Sequence, residues 1–164
     1  MQNFPRYIWE HLQADTEAFC FRYLDDNQRV QPYSYREWTR HIQRVAVSLR
    51  EDGFEPGTRV GFVSPVSRGW LDLAFGVWLA GGCVVPVNHS LERRRVLSCL
   101  GRAGCDWVAV ADATSRSWLR GQGEALPPSL QWVLIDSESE PAGDAVTPLA
   151  ELDVQPPRGL DRRA

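Results

Sequence analysis

Apolar residues recur along this chain with two different periods, and the places where the period changes mark its elements. Trp38, Ile42, Val45, Ala46 and Leu49 fall at i, i+4, i+7, i+8 and i+11, one stripe down a helix spanning Ser34 to Gly53. Ser34 and Glu37 have the spacing of a capping box at its start, and Gly53 suits the left-handed residue that closes it. Pro56-Gly57 predicts the turn that follows. Beyond it, short apolar runs alternate with helical segments. Strands are predicted at Arg59–Ser64, Cys83–Val87, Trp107–Ala111 and Gln131–Ile135, and helices at Ser67–Ala80, Ser90–Ala103 and Thr114–Gln122. None of these strands alternates with polar residues, as a parallel sheet covered on both faces requires. The expected fold is therefore α/β, a mostly parallel sheet with crossover helices on its faces. Ahead of it, Ala18–Leu24 and Val30–Tyr35 flank the turn residues Asp25-Asp26-Asn27 and predict a β-hairpin, and Phe4–Gln13 predicts a short helix. The α/β unit is placed at residues 1–136. Residues 137–164, acidic and then rich in proline, read as linker or loosely ordered tail.

Composition narrows the function more than it alters the fold. The chain has 164 residues, 43% hydrophobic and 24% charged, enough for one packed domain, and its seven tryptophans favour a buried interior. A net charge of −3 argues against a nucleic-acid partner. All 18 basic residues are arginine. Arginine stays protonated and cannot serve as a Schiff-base amine or an easily deprotonated base, so mechanisms that rely on a lysine are closed to this chain alone. The longest apolar run, Trp70–Val87, is interrupted by Asp72, by Gly76, Gly81 and Gly82, and by Pro86, and predicts a buried helix and strand with no membrane span. No signal peptide is read at the start, and cytoplasmic residence is expected. Cys20, Cys83, Cys99 and Cys105 form no CxxC pair and are expected to be buried free thiols. The sequon Asn88-His89-Ser90 is read as a chance match.

The order of these motifs resembles the opening of the adenylate-forming (AMP-binding) ligases of the acyl-CoA synthetase type, a group that includes aryl-CoA ligases and peptide-synthetase adenylation domains. Tyr33-Ser34-Tyr35-Arg36-Glu37-Trp38 resembles their "TYxEL" segment, and Gly53 to Val60 their "GxxPGDRV" turn. Gly61 to Ser67 is similar to "ailspNs", and Trp78 to Asn88 to "lkaGavvvPlN". Thr58 and Val66 depart from the family's Asp and Asn. The resemblance covers about residues 18–112 and implies the family's N-terminal subdomain. It also implies ATP, Mg and CoA for a complete enzyme. The loop rich in Gly, Ser and Thr with its Lys, the ribose-binding Asp and the C-terminal domain's Lys all lie beyond the matched region. This sequence has no such loop, no GxxxxGK[ST] and no GxGxxG.

The implied function is a scaffold piece of an ATP-dependent acid-activating ligase, not catalytic alone, whether excised domain, split-enzyme half or truncated product. Its partner would be the missing C-terminal ligase portion or a separate protein chain. A non-catalytic interaction module of the same fold is the alternative, self-associating through an exposed apolar surface with Trp118, Leu119 and Trp132; an unrelated small nucleotide-binding domain is a third. No catalytic, cofactor-binding or metal-ligating residue is assigned. His89, just past a strand end, is read as a loop residue and His41 as a helix-surface residue without a partner by spacing, as is His11. Asp25-Asp26 is read as turn chemistry, and Arg93-Arg94-Arg95 as the wet face of a helix. Ser64 and Ser67 lack a GxSxG context.

Overall fold

The computed structural model describes residues 18–24, 27–121, 127, 129–135 and 146–148. The predicted helix at Phe4–Gln13, the Asp25-Asp26 pair and most of the predicted tail lie outside the described residues. Two strands, β1 (Phe19–Leu24) and β2 (Val30–Ser34), pair antiparallel as the expected hairpin, with a bulge between Phe19 and Phe21. Helix α1 (Tyr35–Glu51) follows directly. Its capping box is complete: the Glu37 amide donates to Ser34 Oγ at 3.2 Å and the Ser34 amide to Glu37 Oε2 at 2.9 Å.

The remaining chain runs β3 (Arg59–Val63), α2 (Arg68–Leu79), β4 (Cys83–Pro86), α3 (Arg93–Ala103), β5 (Trp107–Val110), α4 (Ala113–Arg120), β6 (Gln131–Leu134) and β7 (Val146–Pro148). The five strands form one parallel sheet in the order β4-β3-β5-β6-β7. The first strand of the sheet, β3, thus has the second on one side and the third on the other. Val146–Pro148, inside the predicted tail, adds the last strand beside β6. Helix α3 starts at Arg93, three residues later than its sequence suggested, because Asn88 Oδ1 accepts from the Ser90 amide and folds that segment into a turn.

Both faces of the sheet are covered, which explains the missing polar alternation. Trp107 and Ala109 of β5 face a core containing Val45, Leu49, Leu73 and Val77 from α1 and α2. Val108 and Val110 face another, with Val96 and Leu100 of α3 and Leu119 of α4. Helices α1, α2 and α3 end alike. Gly53 and Gly81 each take a positive φ past a helix end, and the next amide reaches back to a carbonyl five residues earlier: Phe54 to Leu49 and Gly82 to Val77, both at 2.8 Å. Cys105 does the same to Leu100 at 3.1 Å. Each of these helix ends thus carries the same backbone closure, at the edge of the sheet opposite the carboxyl ends of the strands.

Candidate functional site

Open parallel sheets bind ligands beyond the carboxyl ends of their strands, where the order of connection reverses. Here that point lies between β3 and β5. Three segments line this edge: 64–67 after β3, 87–92 after β4, and 111–112 after β5. Several of their polar side chains are spent on their own backbone. Ser67 Oγ accepts the Trp70 amide at 3.2 Å to cap α2. The Asp112 carboxylate accepts the Ser115 amide at 2.6 Å to cap α4, and that bond holds its pKa below the usual carboxylate range. Ser64 is buried, and its Oγ has no protein partner. His89 is exposed on the 87–92 segment, and Val66 is 73% exposed. Among the described residues no group of acidic, His and Cys side chains could hold a metal.

Arg59 and Arg93 act as helix caps. Arg59 Nη1 donates to the Ala103 carbonyl at 2.8 Å, at the end of α3. Arg93 spans the end of α4, its Nε donating to Leu119 O at 3.0 Å and its Nη2 to Arg120 O at 2.7 Å. A Cβ at Gly121 would sit 2.6 Å from Arg93 Nε, so this close seat needs glycine. The expectation of a uniformly wet Arg93-Arg94-Arg95 face therefore holds for Arg94 and Arg95 only.

Two further expectations are corrected. None of the four free cysteines is fully buried; Cys83 and Cys99 are exposed, one on an edge strand and the other on the outer side of α3. Of the suspected apolar surface, Leu119 and Trp132 are core residues, with Arg120 stacked over the Trp132 ring at 5.5 Å, and only Trp118 is open, at 43%.

Among the described residues the most perturbed carboxyl group is that of Asp72, which the sequence showed only as an interruption of an apolar run. It lies on α2, 1% exposed, and burial raises its pKa from 3.8 to about 7. Tyr33 Oη of the hairpin donates to its carboxylate at 3.3–3.4 Å. Trp38 Nε1 favours the anion from nearby without a formed hydrogen bond. His41 of α1 places Nδ1 3.7 Å from Asp72 Oδ2, so His41 does have a partner, one that spacing along its own helix could not reveal. Arg68 donates to Tyr23 Oη at 3.0 Å and lies over that ring.

A carboxyl-edge loop set over a doubly covered sheet, joined to a docked hairpin, is the arrangement expected for the N-terminal subdomain of the adenylate-forming enzymes. A family model described as AMP-binding enzyme matches residues 9–161. The chain belongs to the AMP-binding enzyme family. It is 34% identical over 119 residues to the AMB antimetabolite synthetase AmbB of Pseudomonas aeruginosa, covering 73% of this chain and 9% of that protein. It is 36% identical over 58 residues to a feruloyl-CoA synthase of Amycolatopsis, covering 35% of this chain and 12% of that one. Its fold superposes on an acyl-CoA synthetase from Brucella canis with a TM-score of 0.71 and 14% identity, over 85% of this chain and 25% of that chain. For a benzoate CoA ligase from Burkholderia xenovorans the values are 0.69, 19%, 93% and 28%. The chain thus spans a small part of the length of the AMP-binding relatives it matches. No helix among the described residues is long and apolar enough to cross a membrane.

Proposed function

We propose that this AMP-binding chain forms one wall of an ATP-dependent ligase that activates a carboxylic acid as its adenylate, and that it does not catalyse adenylation alone. The observation that carries this reading is the absence of any lysine from the sequence, set beside a carboxyl edge whose capping side chains are turned onto their own helices. ATP phosphates need close-packed amides and a cation aimed at them. The Asp112 carboxylate sits instead at the start of α4, where it repels an anion. The residues described here therefore do not fit the triphosphate, and no step of the reaction is assigned to them. Their role is to present a rigid sheet edge to a neighbouring segment that carries the phosphate chemistry. The exposed Val66 beside that edge suits burial against such a segment.

Complementation tests this reading. The chain is mixed with a second polypeptide comprising the remainder of a related adenylate-forming domain, including its Lys-bearing phosphate loop. Acid-dependent formation of acyl-adenylate that requires both polypeptides is the expected result. A second polypeptide that is fully active by itself and gains nothing from this chain would count against the wall role.

A further inference from the structure

We propose that Asp72 and His41 act as one proton-sharing unit in the docking of the β1–β2 hairpin: as the hairpin settles onto α1 and α2, the proton carried by His41 passes to the Asp72 carboxyl. This inference is independent of the ligase reading.

The hairpin is a separate two-stranded sheet, marginal by itself, so its order depends on what it packs against. It docks through aromatic contacts, with Phe21 edge-on to Trp38 at 5.6 Å and Tyr33 edge-on to His41 at 5.8 Å, and through Tyr33 Oη on Asp72. Docking therefore encloses Asp72. The groups facing this site are Cys20 and Tyr23 from β1, Tyr33 from β2, Glu37, Arg40, His41 and Arg44 from α1, and Arg68 from α2. One long phenolic hydrogen bond is a poor replacement for the water a carboxylate loses. The acid form is better served. Its carbonyl oxygen, Oδ1, accepts from Tyr33 Oη, and Oδ2, which carries the proton, lies 3.7 Å from His41 Nδ1, the unprotonated nitrogen when the imidazole carries its proton on Nε2.

The two groups shift in opposite directions on docking. Burial raises Asp72 to about 7, while desolvation, then Arg68 and Arg44, lower His41 below 6.5. With the hairpin open, Asp72 is a carboxylate and His41 an imidazolium at mildly acid pH; docked, they are a carboxylic acid and a neutral imidazole. The Nδ1–H bond breaks, the Oδ2–H bond forms, and the net charge is unchanged. Both states hold one proton, so docking is insensitive to pH in that window.

Removing either member exposes the other's slope. The experiment measures hydrogen-exchange protection of the β1 and β2 amides in the full 164-residue chain from pH 4.5 to 8.5, corrected for intrinsic rates. In His41→Gln, protection falls as pH rises towards about 7, by up to about tenfold per pH unit, then levels. In Asp72→Asn the slope reverses: protection rises as pH climbs towards 6.5 and then levels. Wild type changes far less, losing only about threefold in all between about pH 6 and 8, the difference between 6.5 for His41 in the open state and about 7 for Asp72 in the docked one. A flat profile in His41→Gln overturns the proposal. Should Asp72→Asn fail to fold, carbon and nitrogen NMR of the wild type at pH 6 decides: a protonated Asp72 beside a neutral His41 supports it, and a carboxylate beside an imidazolium overturns it.

Discussion

Replacing Gly76 by alanine adds one methyl group where α2 lies against α1. A Cβ built there would sit 2.2 Å from Val45 Cγ1 and 2.6 Å from Val45 Cβ, against the 3.5–4.0 Å of ordinary carbon contacts. A rotamer change moves Cγ1 but leaves Cβ where the backbone holds it, so the helices must part by about 1 Å. Overpacking of this kind costs about 1–3 kcal/mol, and the fixed Cβ places Gly76 towards the upper end. Helix propensity returns about 1 kcal/mol. The balance is a loss of about 1–2 kcal/mol, roughly a five- to thirtyfold fall in the folding equilibrium constant. Gly101 on α3 is the internal control, because its Cβ would meet nothing within 4 Å. There only the propensity term acts, and Gly101→Ala stabilises by about 0.5–1 kcal/mol. Urea unfolding followed by circular dichroism reads both, with unchanged m-values required. Combining Gly76→Ala with Val45→Ala should recover part of the loss through a favourable coupling. If Gly76→Ala stabilises as much as Gly101→Ala, the close packing of α1 and α2 described here is wrong.

Ser34→Ala removes an acceptor from the complete capping box and is expected to cost about 1 kcal/mol, read by the same urea titration. Because the Ser34 bonds hold the Glu37 pKa down, its contribution is present above the ordinary glutamate range and is lost as pH falls through the depressed value; Glu37→Gln should remove that acid-side dependence. Arg93→Ala strips two charge-assisted bonds from the carbonyl end of α4 and should lower amide protection of Ala113–Arg120 and cost about 1–2 kcal/mol. Arg93→Lys should restore less than half, since one ammonium cannot reproduce the fork across Leu119 and Arg120.

Much of the fold was legible because its signals are local. The stripe from Trp38 to Leu49, the Ser34–Glu37 spacing and Gly53 after the helix each act within a few residues, and each appears as expected. Val-rich runs without alternation announced a doubly covered sheet before any pairing was known. What stayed hidden depends on distant partners. Leu119 and Trp132 are apolar residues of a helix and a strand, and only the packing of α4 against the sheet, which brings both into one core, decides that they are buried. Arg93 looks like its two neighbours in sequence and differs by reaching α4, 26 residues away. Asp72 and His41 meet across two helices, and Tyr33 joins them from 39 residues off. A charged residue inside the buried stripe of α2 was the one clue, since a lone acid among Leu73, Ala74 and Val77 needs a partner from elsewhere.

The central claim is that this chain carries the wall of an acid-activating site and not its phosphate machinery. Pyrophosphate exchange into ATP by the purified chain, across a panel of aliphatic, aromatic and amino acids, tests it most directly. Exchange indistinguishable from a protein-free control is expected with every acid. Robust exchange that depends on one of those acids would contradict it.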